Sequence, residues 1–354
     1  MPGNTRPQRI RHQPRRECWR RVARRRLGSA LVAMLVLATI ALGSATCAAA
    51  DPPTETTPKA APPLRLLMVL WRGETPAEQG FLAELQRQHV ALSIDQINAD
   101  QKREQLARQF WAMGNSLLDY DAVYSFGTTA SVMTHSLLRG RVPQLYSMVS
   151  DPREAGLVTA AGGQPVTGTT DAIAAELKIR TAQQLFPIGH IGFLFNARER
   201  NARVQLEEME QLCARLGIKL TILRVAPESS SLAQQLQWLQ RPNTIDTLYL
   251  PSDSYLISQS PVIMAALANT PYRVLGATDS FVRDGALLAI APDYPALGRQ
   301  LAQRLIDLSG APATPALLAP IGVRQSQILY NERTRQRLGI EFPAALEQQM
   351  TPIR

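Results

Sequence analysis

The sequence predicts an α/β protein of two Rossmann-like lobes with parallel sheets, joined by a hinge. Three observations predict it. Short apolar segments, β-branched in part and bounded by Pro, Gly, Asn or Asp, recur along the chain from residue 65. Between them run helical periods of ten or more residues. Such βα alternation implies parallel strands covered by helices on both faces, and about ten strands exceed what one compact sheet of this kind holds.

In order, strands are expected at 65–71, 91–97, 122–126, 143–149, 166–169, 190–196, 219–225, 247–251, 273–276 and 287–291. The helical periods cover 76–88, 101–118, 172–186, 199–216, 255–269 and 294–308. Thr75-Pro76, Asp171 before Ala172, and Asp293 are start signals; Gly217 and Gly310 are stops. The polar, glycine-rich run Gly162-Gly163-Gln164-Pro165 suits an inter-lobe crossover. That assigns 64–163 with 292–315 to lobe 1, and 164–291 with 316–340 to lobe 2. The last long helix and a strand at 321–329 would supply the returning crossovers.

Ahead of these elements, residues 1–26 hold ten arginines against Glu17 alone, and 27–50 are uncharged and mostly apolar. With Ala48-Ala49-Ala50 before Asp51-Pro52-Pro53, residues 1–50 read as a signal peptide and predict a periplasmic protein. Two alternatives stay open: an uncleaved anchor helix, and lipidation at Cys47, although Ser44-Ala45-Thr46 lacks the leucine expected three residues before such a cysteine. Residues 51–63, rich in Pro, Thr and Ala, read as a linker. The chain total is +9 and the leader accounts for +9, so the remainder is formally neutral. Its basic character therefore gives no argument for nucleic acid. Cys213 is the one cysteine beyond the leader and sits in a helical pattern, which excludes an internal disulfide.

Catalytic signatures are missing. There is no Gly-x-Ser-x-Gly elbow, no phosphate loop and no Gly-x-Gly-x-x-Gly. The histidines do not cluster with Cys or paired acids, so no metal or cofactor is expected and nothing calls for an enzyme. What recurs is a polar cluster directly after an apolar strand: Trp71-Arg72-Gly73-Glu74, Gly127-Thr128-Thr129, Ser150-Asp151, Asn196 to Asn201, Ser252-Asp253-Ser254 and Thr278-Asp279-Ser280. Singly, each could be ordinary helix capping. Together they fall on the carboxyl edges of parallel strands, where open α/β sheets bind ligands. Free helix amides there suit a carboxylate, and aspartates suit an ammonium group. The candidate ligand-binding residues are Trp71, Glu74, Thr128, Thr129 and Asp151 from lobe 1, with Asn196, Asn201, Asp253 and Asp279 from lobe 2.

From about residue 66 to 322 the order of motifs resembles the ABC-transporter solute-binding proteins of the tryptophan/tyrosine-binding type. Ser150-Asp151-Pro152 with Ala155-Gly156-Leu157-Val158 is similar to their Thr-Asp-Pro … Ala-Gly-Leu-Val. Gly162-Gly163-Gln164-Pro165-Val166-Thr167-Gly168 is similar to Gly-Gly-Asn-Val-Thr-Gly with one residue inserted. Pro251-Ser252-Asp253-Ser254 and Asp284-Gly285-Ala286-Leu287 … Asp293-Tyr294 … Leu297-Gly298 also follow the pattern. The resemblance implies a type I periplasmic-binding fold with a hinged cleft, and a monomeric receptor that hands a small polar or amino-acid-like ligand to a membrane permease. A second use of the same fold is ligand sensing, with a sensor kinase as partner. Two departures stand at strand exits: Trp71-Arg72-Gly73-Glu74 differs from the family's Gln/Glu-His, and Thr128-Thr129 lacks its proline.

Overall fold

The computed structural model describes residues 62–157, 166–241, 244–310 and 319–353. The expected leader, with Cys47, lies outside them, as do the Gly162-Gly163 pair and all but the last two residues of the linker. The first sheet has the order β2-β1-β3-β4-β5 and is parallel throughout. Its strands are β1 (Leu64–Leu70), β2 (Leu92–Asn98), β3 (Ala122–Phe126), β4 (Gln144–Ser147) and β5 (Val166–Gly168). The central strands are apolar runs because both faces are covered: Leu66 to Leu70 are all inaccessible, whereas the edge strand β2 is largely exposed.

The second sheet has the order β12-β11-β10-β9-β8-β6-β7. It comprises β6 (His190–Asn196), β7 (Lys219–Val225), β8 (Thr247–Leu250), β9 (Arg273–Gly276), β10 (Leu288–Pro292), β11 (Ser326–Asn331) and β12 (Met350–Ile353). Only β11 against β10 is antiparallel. Separate apolar clusters pack on its two faces, one around Phe193 and Tyr249, the other around Leu248 and Phe281. In both sheets the strand order reverses beside a central strand, between β1 and β3 and between β6 and β8. Those switch points open a crevice at the carboxyl ends.

Helices α1 (Pro76–Arg87), α2 (Arg103–Met113) and α3 (Thr128–Leu138) serve the first lobe. The second has α4 (Ala175–Gln183), α5 (Arg200–Leu216), α6 (Ser231–Leu239), α7 (Ser254–Ser258), α8 (Ser260–Leu267) and α9 (Asp279–Asp284). The long α10 (Tyr294–Gly310) leaves the second sheet and packs on α1, and Leu297, Leu301 and Leu305 complete the core of the first lobe. Short α11 (Glu332–Arg337) and α12 (Ala344–Glu347) precede β12, a strand the sequence reading did not include.

The expected start of α1 is present as a full capping box: Thr75 Oγ1 accepts the Ala77 amide at 3.3 Å, and Glu78 accepts the Thr75 amide at 2.8 Å. Asp293 likewise accepts the Ala296 amide at 2.9 Å, and Gly217 ends α5 at φ +66°. Two expectations change. β5 pairs with β4 in the first sheet, so the chain leaves that lobe after Gly168 and not at residues 162–165. Gly168 lies so close to Tyr146 that an added Cβ would meet its carbonyl oxygen at 1.9 Å, which makes the strand integral to the first sheet. α4 starts at Ala175, three residues later than expected, and the Glu208 carboxylate accepts its first amide at 2.8 Å. Asp171 is thereby released from capping.

Ile321 joins the crossing strands, donating to the Gly168 carbonyl at 2.8 Å and accepting from the Thr170 amide at 3.0 Å. Among the described residues no helix is long and apolar enough to cross a membrane.

Candidate ligand-binding cleft

The strand exits of the two lobes face each other across a cavity of about 270 Å³. On the first side, β1 delivers Trp71, Arg72 and Glu74, and β3 delivers Phe126, Gly127, Thr128 and Thr129. Gly127 sits at φ +83°, and its missing Cβ would stand 3.3 Å from that of Trp71. The turn therefore requires glycine twice over, for its backbone and for the close approach of Trp71. No side chain caps α3 among the described residues, so the amides of its first turn are left to the cavity. Met148, at the exit of β4, holds φ +54° in the wall, a left-handed conformation that a methionine adopts at some strain.

Arg72 lies 5.5 Å above the Phe126 ring, and its buried Nε finds no hydrogen-bond partner among the described residues. Asp171, at the lobe crossing, accepts from Ser150 Oγ at 2.9 Å. Burial raises its carboxyl above the ordinary range, while that hydrogen bond and the charges of Lys178 and Arg72 pull it back.

The second lobe contributes Glu199 and Asn201 after β6, Ser252 and Ser254 after β8, and Thr278, Asp279 and Ser280 after β9; Tyr294 closes the wall from the start of α10. Asn201 Nδ2 donates to the Ser252 carbonyl, tying two exits together. Thr278 is 3% exposed, and its Oγ1 is unpartnered among the described residues. Asp279 pairs with Arg283 at 3.3 Å.

Glu199 and Asp253 form a buried carboxyl pair. Asp253 accepts the Asn196 amide at 2.6 Å and the Leu256 amide at 3.1 Å. Glu199 accepts the Ser254 amide at 2.9 Å. Burial, and then the neighbouring Asp253, push Glu199 well above the carboxylate range. With its two amide donors, Asp253 is the member that holds the charge, and Glu199 keeps the proton.

Of the nine sequence candidates, the structure gathers six at the cavity: Trp71, Glu74, Thr128, Thr129, Asn201 and Asp279. Asp151 lines an adjoining chamber instead, and its Oδ1 is engaged by the Arg153 and Glu154 amides at 3.0 and 2.9 Å. Asn196 and Asp253 stand behind the wall. Asn196 Oδ1 accepts the Arg198 amide at 3.0 Å, and Asp253 caps α7, so both shape turns and neither lines the cavity. Arg72, Glu199 and Thr278 belong to clusters that the sequence singled out but were not chosen. Met148 carried no signal, Asp171 read as a helix start and Tyr294 as part of a motif; none was marked for the cleft, because their place depends on how the lobes are joined.

A family model for ABC transporter substrate binding proteins matches residues 75–351, and the chain belongs to this family. A tyrosine-binding protein of Clostridioides difficile (strain R20291) is 24% identical over 225 residues, 62% of this chain and 64% of that protein, so the match spans less than two thirds of the relative. Among solved structures, an ABC domain in complex with L-Trp from Streptococcus pneumoniae superposes with a TM-score of 0.73 at 20% identity, over 82% of this chain and 100% of that one. A conserved domain protein from Vibrio cholerae O1 biovar eltor str. N16961 gives 0.71 at 22% identity, over 82% and 99%. These likenesses establish the fold as that of type I periplasmic binding proteins.

Proposed function

We propose that the protein is the exported, periplasmic receptor of an ABC importer that holds an amino-acid-like zwitterion between its lobes and passes it to a membrane permease. One observation carries the ligand class: the cavity lining holds groups suited to both charges of a zwitterion. The uncapped start of α3 and Arg72 suit a carboxylate, while Asp171 and Asp279 suit an ammonium group. Trp71, Phe126 and Tyr294 add apolar surface to the lining. The names of the relatives, a tyrosine-binding protein and a complex with L-Trp, support the same class. A cavity of about 270 Å³ lies at the lower end of small-ligand sites.

A thermal-shift screen of the purified protein tests it. A ligand of the native state adds RT ln(1 + [L]/Kd), about 2.7 kcal/mol at a hundredfold excess over Kd. At least one free α-amino acid should raise the melting temperature, and its N-acetyl and amide derivatives, which each lack one charge, should not. Thr278→Val removes a hydroxyl with no partner among the described residues, so it should leave the unliganded protein as stable and weaken binding about tenfold. Equal shifts from the blocked derivatives, or none from any amino acid, would sink the reading.

A further inference from the structure

Beside the main cavity lies a second chamber of about 190 Å³. Thr128, Asp171, Asn201 and Ser252 line both, so they form a partition within one continuous cleft. The second chamber has an apolar stretch, Ala155, Ala172, Ile173 and Val204, that leads from half-buried Asp171 toward exposed Asp151 and Glu208. An alkyl chain with a charged tip fits that gradient, its methylenes against the apolar wall and its end among carboxylates at a wetted rim.

The charges of the whole cleft point the same way. With Glu199 protonated and Asp279 paired with Arg283, the main cavity sets Glu74 and Asp171 against Arg72. The second chamber adds Asp151, Glu154 and Glu208 against Lys178 and Arg200. Its two cations are already engaged. Arg200 pairs with Glu154 at 2.7 Å, and Lys178 Nζ donates to the Tyr249 hydroxyl at 3.2 Å while lying 5.9 Å from that ring. A net-neutral zwitterion would leave the excess of carboxylates uncompensated. A ligand with one further positive charge offsets it in a site that is partly shielded from water. The unpartnered Thr278 Oγ1 and Arg72 Nε, both on the main cavity, independently mark the cleft as built for a polar ligand.

We infer that the preferred ligand is a diamino acid, with its α-carbon groups in the main cavity and its side-chain ammonium at the rim of the second chamber, by Asp151 and Glu208. The inference rests on the zwitterion reading of the main cavity and specifies the side chain.

Isothermal titration of the protein with L-lysine, L-ornithine, L-norleucine, L-tryptophan and L-tyrosine tests it. Norleucine keeps most of the lysine chain and lacks the charge. Lysine or ornithine should bind at least tenfold more tightly than norleucine, and more tightly than either aromatic amino acid. The preference should shrink as salt is raised. Glu208→Gln should weaken lysine severalfold and narrow the gap to norleucine. Equal or tighter binding of norleucine, tryptophan or tyrosine would overturn the diamino assignment and leave the zwitterion reading standing. If none of the five binds, the diamino assignment falls, and the zwitterion reading falls with it when no other free α-amino acid shifts the melting temperature.

Discussion

The seat of α10 on α1 decides whether Tyr294 can reach the cleft, and Gly298→Ala perturbs that seat directly. A Cβ at Gly298 would stand 2.0 Å from the Ala77 carbonyl oxygen and 2.8 Å from the Phe81 amide nitrogen. The first contact falls about 1.5 Å short of the ~3.5 Å optimum between heavy atoms. Both obstacles are main-chain atoms inside a helix, so no rotamer change relieves them and the helices must separate. Gly80, on the facing helix, is equally tight against Pro295, which closes off a compensating slide. Overpacking of this kind costs about 1–3 kcal/mol, and backbone obstacles place it near 3. At about 2–4 °C per kcal/mol for lobes of this size, the melting temperature should fall by roughly 6–12 °C. Tyr294 is one helical turn before Gly298, so displacement of the helix should also weaken ligand binding. Gly310→Ala is the control, because a Cβ there meets nothing within 4 Å. Differential scanning fluorimetry of the two variants decides it. A Gly298→Ala protein that melts with Gly310→Ala would refute the argument that close backbone approach holds α10 in place.

Two further outcomes are expected. Arg200 on α5 pairs with Glu154 at 2.7 Å and also donates to its carbonyl at 2.9 Å, joining the lobes across the cleft. Both side chains are about half exposed, so the pair is worth ~0.2–1 kcal/mol. Glu154→Ala should therefore raise Kd by up to about fivefold at low salt without moving the unliganded melting temperature; unchanged affinity would show that the contact plays no part in closure. Glu199 gives a pH signature. Its folded-state pKa lies above the ordinary 4.5, so its contribution to stability is complete below that value and is lost as pH rises through the folded pKa. Measured against Glu199→Gln, which cannot ionise, the wild-type melting temperature should decline from pH 5 upward. Parallel curves for the two proteins would show that no proton resides on the Glu199–Asp253 pair.

The strands were legible because parallel sheets bury both faces: runs such as Leu66 to Leu70 have no alternative to a central position. The strand exits followed from the same logic, since parallel strands bring their carboxyl ends to one edge. The side that each polar residue faces was not legible. Asp253 and Glu199 both occupy exits of the second sheet, yet Asp253 caps α7 behind the wall while Glu199 faces the cavity. Only the packing of one turn against the other separates them. Asp171 read as a helix cap because the residues after it are helical in pattern, but Glu208, 33 residues away on α5, holds the start of α4 instead. The glycine-rich run before β5 read as the inter-lobe crossover for a comparable reason: composition marks a loop without saying which sheet the next strand joins.

Ligand choice within this family has to come from residues that the fold does not fix, and the two departures noted in the sequence fall in the cavity wall. Arg72 and Glu74 stand at the exit of β1, in place of the family's Gln/Glu-His, and add a charge of each sign. Thr129 stands where the family carries proline in the turn that opens α3. Proline at that place would supply no amide. Threonine supplies an N–H in the first helical turn and a hydroxyl, so the cavity wall has two hydrogen-bonding groups where proline would leave none. The glycine before it, required by φ and by Trp71, keeps the turn in register while its chemistry changes. If the diamino-acid inference holds, these changes at the strand exits are what turn the site toward a charged side chain, and the comparison of lysine with norleucine tests it.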